Sequence, residues 1–261
     1  MSPLLLLLVL AVIQGLSEFL PISSSGHLVI AKQFLPGGGQ LVDGVGIEIM
    51  LHLGTLVAVL IHYRKRIGQL IAGVFGKSSD TSEQRDYLGK LIVATIPTVI
   101  AGLFVFDTDS FFFVSPVSAA YGLLFTAVVL LSSKFASKTG AELSYPKAML
   151  IGLSQAIAIL PGISRSGSTI IMARHLKIGR QQAEDFSFLM AIPTILGAAI
   201  FKLPDADFSK ISVVEISSSL VLSCLVGLLA LRVVHSVVQK HQMHLFAPYC
   251  VVMALVVLTK I

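Results

Sequence analysis

The chain has 261 residues, of which 55% are hydrophobic and only 13% are charged. Soluble domains carry about 25% charged residues, so nineteen Lys and Arg with fourteen Asp and Glu cannot coat a soluble globule of this size. The net charge of +5 fits the excess of Lys and Arg that membrane proteins keep in cytoplasmic loops. Composition therefore excludes a soluble enzyme, a disordered chain and a nucleic-acid-binding protein, and it predicts an integral membrane protein.

Apolar stretches follow one another along the chain, and a helix needs about 20 such residues to cross a bilayer. The first stretch, Pro3–Phe34, is interrupted by a polar break at Pro21–Gly26, and Lys147–Ala173 is interrupted at Pro161–Gly167. Polar breaks at membrane depth are tolerated only when protein or a wet cavity surrounds them, so both stretches are predicted to be re-entrant helical hairpins. Six further stretches are predicted to span the membrane fully: Asp43–His62, Leu88–Phe106, Phe112–Ser132, Asp185–Leu203, Ser212–Val234 and His244–Leu258.

The segments between the spans indicate which side of the membrane each faces. Ile67–Gly76 is too short to span and is predicted to lie at the interface. With the basic cluster Arg64–Arg66 in the cytoplasm, most other basic residues also fall inside, as the positive-inside rule expects. The acidic loop Asp107–Ser110 and both termini are then extracytoplasmic, and the three histidines of Arg232–His244 are predicted to lie in a solvated cytoplasmic loop.

The two interrupted stretches also resemble each other. A shift of 141 positions aligns six identical pairs: Gln14 with Gln155, Ile22 with Ile163, Ser23 with Ser164, Ser25 with Ser166, Gly26 with Gly167, and Ile30 with Ile171. We therefore predict an all-α integral membrane protein with six full transmembrane helices plus two re-entrant helical hairpins. It forms a single membrane domain, 1–261, in which residues 1–135 and 141–261 are an inverted-topology repeat. Such repeats place a polar site where their breaks meet, and they are common in transporters.

The first break combines groups that could do chemistry. Glu18 is the only acid among the first 42 residues, and an ionisable side chain in an apolar hairpin is a functional candidate by default. Gln14 lies one helical turn before Glu18 and shares its face. Ser24 and His27 have an i, i+3 spacing that can bring imidazole near hydroxyl, which is the usual logic of an activated nucleophile. The alternative is that Ser23, Ser24 and Ser25 only cap a helix.

The second break adds a permanent positive charge. Arg165 lies between Ser164 and Ser166, and its planar guanidinium suits phosphate oxygens. Small neighbours let backbone N–H groups approach an anion at a helix N-terminus. Together with the first break this set favours phosphoryl transfer, in which catalysis is mainly positioning and charge stabilisation. Outside the breaks, Glu48 and His52 form an i, i+4 pair that either supports the site or makes an ordinary packed Glu–His bond.

Both breaks resemble the signatures of a known family. Gln14-x-x-x-Glu18, continuing through Phe19–His27, resembles the first signature of the bacterial undecaprenyl-diphosphatases, the bacitracin-resistance family, and Pro161–Thr169 resembles the second. The resemblance implies catalytic roles for Glu18, Ser24, His27 and Arg165. It implies substrate-binding roles for Gln14, Ser23, Ser25, Gly26, Ser164, Ser166, Gly167 and Thr169. Many relatives have Glu at the position of Gln14.

The resemblance also implies a reaction: a membrane phosphatase would hydrolyse undecaprenyl diphosphate to the monophosphate, recycling the carrier lipid for peptidoglycan synthesis and conferring bacitracin resistance. It implies stimulation by a divalent cation, Mg²⁺ or Ca²⁺, with Glu18 as the candidate ligand. The active site would face the periplasmic side of the bacterial inner membrane. Expected partners are the polyprenyl diphosphate lipid and the bilayer but not nucleic acid, and a homodimer is the one protein partner considered.

The sequence leaves two points open, the identity of the nucleophile and an alternative function. Either Ser24 attacks phosphorus with His27 as general base, or His27 attacks and Ser24 orients the phosphate. The alternative function is a transporter or lipid flippase that uses the same inverted-repeat site. That alternative accounts for the architecture, but it gives no reason for an Arg among serines opposite a Ser–His pair.

Overall fold

The computed structural model describes residues 2–36, 45–76, 80–105, 111–136, 140–206, 208–209 and 211–260, and these are helical almost throughout. The first half contains α1 (Pro3–Phe19), α2 (Ser24–Phe34), α3 (Val45–His62), α4 (Arg64–Val74), α5 (Thr81–Ile100) and α6 (Pro116–Ser132). The second half contains α7 (Tyr145–Ile157), α8 (Arg165–His175), α9 (Arg180–Lys202), α10 (Val213–Gln239) and α11 (Ala247–Lys260). A π-helical segment, Ala101–Val105, extends α5.

The helices agree with the predicted spans. Helices α5, α6, α9, α10 and α11 are long and apolar enough to cross a membrane, and α3 joins α4 through a bend of 76° to give a sixth candidate. The all-α, multi-pass membrane fold is therefore confirmed. Helix α4 covers most of the segment predicted to lie at the interface. The predicted loop Asp107–Ser110 and the span ends Asp43 and Phe106 lie outside the described residues.

Helix α10 is longer than its sequence pattern predicted. It ends at Gln239 rather than near Val234, so the prediction of a solvated loop at Arg232–His244 is wrong for its first half. His235 is helical, and its Nδ1 lies 3.1 Å from a carboxylate oxygen of the buried Glu184 on α9. This pair favours the extra helical turn because it gives a buried carboxylate a partner.

Both interrupted stretches fold as two helices joined at a polar break. In the first, α1 and α2 pack together around residues 20–23, and in the second, α7 and α8 pack together around residues 158–164. Pro3 lies in the first turn of α1, where proline needs no helical N–H bond. Ser23 and Ser164 are the N-caps of α2 and α8. The broken helices are thus as expected, whereas the inverted orientation of the two halves stays a prediction.

The remaining helices enclose the two breaks. Helix α10 packs against both α1 and α3, α5 packs against α7, and α6 packs against α11. In the interior, the rings of Phe19 and Phe188 meet edge to face with centroids 5.7 Å apart. Large apolar side chains such as Val128, Ile200 and Leu225 cover the outside, as a lipid-facing surface requires. The breaks are therefore held inside a helical shell.

Candidate active site

The two helix breaks touch each other through their backbones. A Cβ added to Gly26 would lie 2.7 Å from Cα of Gly162, and one added to Gly162 would lie 2.0 Å from the carbonyl oxygen of Ala119 on α6. Gly162 also has φ +85°, which side-chain-bearing residues rarely adopt. Thr126 of α6 donates to the Gly162 carbonyl at 2.7 Å and fixes this turn from behind. The sequence places glycine where no side chain would fit.

Matching caps open α2 and α8 at the breaks. The Ser23 Oγ accepts from the Gly26 N–H at 3.3 Å, and the Ser164 Oγ accepts from the Gly167 N–H at 3.1 Å. A second serine Oγ lies 3.3 Å from each capping Oγ, from Ser25 in the first break and Ser166 in the second. The helix-capping interpretation of Ser23 therefore agrees with the geometry, and the substrate-binding roles of these serines stay predictions.

Glu18 lies at the centre of the polar cluster. Its Oε1 accepts from Arg165 Nη2 at 2.6 Å, while its Oε2 accepts from Ser24 Oγ at 2.7 Å and from Gln14 Nε2 at 3.1 Å. The side chains of Glu18 and Arg165 are only 6% and 14% exposed, so their ion pair is shielded from water. Two residues of the first interrupted stretch, Gln14 and Ser24, and one of the second, Arg165, thus donate to one carboxylate.

One N–H group of the Arg165 guanidinium is not used by the contact with Glu18. Its Nη1 is buried and has no hydrogen-bond partner among the described residues. Arg165 is also the first residue of α8, where the helix dipole favours an anion. An unmet donor beside a helix N-terminus suits a phosphate group, which can accept several charge-assisted hydrogen bonds at once.

His27 turns away from Ser24. Its Nδ1 lies 2.7 Å from the Ser23 carbonyl oxygen and its Nε2 lies 2.7 Å from the hydroxyl of Tyr249 on α11. The hydroxyl of Ser24 donates to Glu18 instead. The structure therefore brings Ser24, Glu18 and Arg165 together and sets His27 beside them with a different set of partners. Tyr249 has no motif around it, so sequence reasoning gave no signal for it.

A second imidazole approaches Glu18 from α3. The Nε2 of His52 lies 3.7 Å from Glu18 Oε2, and its Nδ1 donates to the Glu48 carbonyl at 2.8 Å. The Glu48 carboxylate accepts from Lys32 Nζ at 2.6 Å. The i, i+4 pair on α3 thus makes no carboxylate–imidazole bond of the ordinary packed kind, and its histidine is turned towards the site.

Thr169 lies one turn inside α8 and is fully buried. Its Oγ1 donates to the Arg165 carbonyl at 2.8 Å and lies 2.5 Å from the Ser187 hydroxyl on α9. It therefore ties α8 to α9 behind the guanidinium. Its substrate-binding role stays a prediction, and the contacts it makes here support the position of Arg165.

The expected divalent cation would need oxygen ligands that the cluster does not supply alone. Among the described residues Glu18 is the only carboxylate that touches Ser24 and Arg165, and both of its oxygens already accept hydrogen bonds. Among the described residues, no group of three or more His, Cys, Asp or Glu side chains is placed to hold a metal ion. Mg²⁺ and Ca²⁺ prefer six or more oxygen ligands. The described side chains therefore do not fit a closed cation site.

Comparison with known families points to the same chemistry as the geometry. The family model of the bacitracin resistance protein BacA matches residues 7–256, which includes both helix breaks. The chain belongs to this family. An undecaprenyl-diphosphatase from Rhodopirellula baltica is 37% identical over 98% of this chain and 98% of its own length. Similar proteins of the same name occur in Syntrophotalea carbinolica, at 37% identity over 93% of both chains, and in Acinetobacter baumannii ATCC 17978, at 34% identity over 96% of this chain and 93% of the relative.

Proposed function

We propose that this BacA-family protein hydrolyses undecaprenyl diphosphate to undecaprenyl phosphate and inorganic phosphate. The observation that carries the proposal is the buried Ser24–Glu18–Arg165 cluster, in which a hydroxyl, a carboxylate and a guanidinium meet within 2.7 Å contacts. Nearly full-length relatives named for this activity support it. The reaction recycles the carrier lipid for peptidoglycan synthesis and underlies resistance to bacitracin.

In the first step Ser24 attacks the terminal phosphorus. Its Oγ–P bond forms, the bond from that phosphorus to the bridging oxygen breaks, and the lipid monophosphate leaves. Glu18 takes the hydroxyl proton, because its Oε2 already accepts the Ser24 hydrogen bond. In the second step water attacks the phosphoserine and the Oγ–P bond breaks. Glu18 returns its proton to Ser24 Oγ, the protons of the water stay on the phosphate, and inorganic phosphate is released. The sequence left two versions open; this geometry favours the attack by serine of the first version, but with Glu18 rather than His27 as the base.

Arg165 stabilises the charge that develops on the phosphate oxygens. Its Nη1 supplies the unmet donor, and its Nη2 leaves Glu18 as the anion arrives. When Arg165 Nη2 moves from Glu18 to the phosphate, Glu18 becomes a stronger base, because a carboxylate that loses its cationic partner binds a proton more tightly. Substrate binding therefore activates Glu18 at the moment when Ser24 must lose its proton.

The position in the cell forms part of the proposal. We place the protein in the bacterial inner membrane with the active site open to the periplasm. The test is labelling of single cysteines by an impermeant reagent in intact spheroplasts: Ser110→Cys should react and Ser79→Cys should not. Both residues lie outside the described part of the chain. The reverse pattern would contradict this orientation.

Stimulation by a divalent cation and formation of a homodimer are also part of the proposal. If Mg²⁺ or Ca²⁺ takes part, the diphosphate oxygens must supply most of its ligands, because Glu18 is the one acid of the cluster. Phosphate release, measured after chelation by EDTA and again after re-addition of Mg²⁺ or Ca²⁺, tests whether the reaction depends on a cation. A homodimer is tested by the mass of the purified protein in detergent.

Phosphate release from the purified protein is the experiment that separates an enzyme from a transporter or flippase. Wild type should release phosphate from undecaprenyl diphosphate in detergent micelles, where there are no two sides between which a lipid could move. The matched control is Ser24→Ala, which should bind the lipid and release no phosphate. Equal release by both proteins would contradict the assignment of Ser24, and no release by wild type would contradict the proposed activity.

A further inference from the structure

Tyr249 joins the last helix to the first break through His27. The two rings lie side by side with their planes 5° from parallel and their centroids 5.6 Å apart, and the Tyr249 hydroxyl lies 2.7 Å from His27 Nε2. His27 is 8% exposed and Tyr249 is 41% exposed, so the bond is buried on the imidazole side only. Because the ring planes are nearly parallel, the hydroxyl approaches Nε2 close to the imidazole plane, where the nitrogen lone pair lies.

The hydrogen bonds fix which nitrogen of His27 carries the proton. The Ser23 carbonyl can only accept, so Nδ1 at 2.7 Å must be the N–H donor. In the neutral imidazole Nε2 then has a lone pair, and the Tyr249 hydroxyl donates to it. That lone pair is occupied, so in this arrangement His27 is not the base that receives the Ser24 proton.

The Ser23 carbonyl that His27 holds belongs to a strained residue. Ser23 has φ +70°, a left-handed conformation that costs a residue with a side chain energy and persists only where its surroundings enforce it. It immediately precedes Ser24, so its backbone sets the direction of the attacking hydroxyl. A hydrogen bond to its carbonyl therefore acts on the aim of Ser24.

The second break provides an internal comparison. Ser164, aligned with Ser23, caps its helix in the same way but has φ −74°. The residue aligned with His27 is Ser168, and both donate their backbone N–H to the carbonyl of the capping serine, at 3.2 Å from His27 and 2.9 Å from Ser168. His27 adds a second donor to that carbonyl, its Nδ1. The left-handed turn and the histidine thus occur together in the first break and are both lacking from the second. This pairing indicates that the histidine serves the turn.

We propose that Tyr249 is a positioning residue of the phosphatase: its hydroxyl holds His27 as the Nδ1–H tautomer, and that N–H holds the Ser23 turn that aims Ser24 at Glu18. The inference rests on the proposed function, since it concerns the nucleophile of that reaction. It assigns a role to a residue outside both sequence motifs, and it makes His27 a positioning residue as well.

Kinetics of paired variants test the proposal. Tyr249→Phe keeps the ring and loses one hydroxyl, so kcat should fall about two- to tenfold, the effect of one partly buried hydrogen bond, with little change in KM. His27→Asn keeps a donor for the Ser23 carbonyl but is too short for Tyr249, so it should show a similar loss. Adding Tyr249→Phe to His27→Asn should then have no further effect. The matched control is Tyr121→Phe, which removes the hydroxyl of an exposed tyrosine on α6. This control should leave kcat unchanged.

Three kinetic outcomes would overturn the proposal: an unchanged kcat in Tyr249→Phe, complete loss of turnover in His27→Asn, or equal effects of Tyr249→Phe in both backgrounds. Nitrogen NMR of the histidine-labelled protein, with His27 assigned by its loss in His27→Gln, gives a readout independent of activity. Wild type should show the Nδ1–H tautomer and Tyr249→Phe a mixture of tautomers, and an Nε2–H signal in wild type would also overturn it. If wild type released no phosphate, the proposed function would fail while the NMR result still decided the tautomer.

Discussion

Replacement of Glu18 by Gln should separate binding from turnover. In the protein without substrate the Glu18 carboxylate and the incoming phosphate compete for the same guanidinium, because Arg165 Nη2 is bound to Glu18 at 2.6 Å. The amide removes that competition and also removes the base that accepts the Ser24 proton. Glu18→Gln should therefore bind substrate more tightly and turn it over far more slowly, which is an unusual combination for an active-site variant.

The size of both effects follows from the contacts. Loss of a general base lowers kcat by roughly 10²–10⁴-fold. A hydrogen bond to a charged group contributes about 1.5–3 kcal/mol, and every 1.4 kcal/mol is about tenfold in affinity, so release of Arg165 should lower Kd by about ten- to a hundredfold. The side chains are 14% and 6% exposed, so water screens little of this interaction. Without substrate the unpaired guanidinium should destabilise the fold by about 3–5 kcal/mol.

The assay compares phosphate release with direct binding of a methylene-bridged, non-hydrolysable analogue of the lipid diphosphate to wild type and Glu18→Gln. Thermal unfolding with and without the analogue should show a larger stabilisation of the variant than of wild type. Glu215→Gln, in the capping box that opens α10, is the matched control and should leave both constants unchanged. Weaker binding by Glu18→Gln, or turnover close to wild type, would refute the competition between carboxylate and phosphate.

Three further variants test other contacts of the site. Arg165→Lys keeps the charge but loses the planar fork, so it should not restore turnover, and near-normal phosphate release would contradict the bidentate role. Ser24→Ala should abolish turnover, whereas Ser25→Ala should retain most of it. In the wild type the Ser25 Oγ touches only the Ser23 Oγ, at 3.3 Å, among the described contacts. Equal losses in the two variants would argue against Ser24 as nucleophile. Gly26→Ala should lower both stability and turnover, because its Cβ would lie 2.7 Å from the Gly162 backbone; a normal melting temperature would show that the breaks can separate without cost.

The sequence was sufficient to predict the helices because composition and period are local properties. Apolar runs of about 20 residues and Pro, Gly and Ser interruptions predict the spanning helices and both interrupted stretches without knowledge of tertiary contacts. The polar first turns are not predicted this way: α5 begins at Thr81 rather than Leu88, and α9 at Arg180 rather than Asp185. The end of α10 was missed because its last turn depends on a partner in another helix, the Glu184 carboxylate bound by His235. A contact between distant segments leaves no trace in a local pattern.

The site was predicted in part for the same reason. Glu18 and Arg165 stand out because each is a charged residue inside an apolar hairpin, and the structure joins them at 2.6 Å. The i, i+3 spacing suggested a contact between Ser24 and His27, but the left-handed conformation of Ser23 and the hydroxyl of Tyr249 direct the imidazole elsewhere. Neither a single backbone angle nor a partner 222 positions away can be inferred from motif spacing.

The glycine contact between the breaks also limits how the protein can move. Gly26 and Gly162 meet without side chains between them, and the two breaks lie closer together than a side chain at either position would allow. Alternating access in repeat-built transporters depends on one bundle rocking against the other around a fixed site. Rocking here would pull the two breaks apart and stretch the Glu18–Arg165 ion pair across the opening. The contact between the two breaks therefore suits an enzyme in which the lipid headgroup enters and leaves while the two hairpins remain in place.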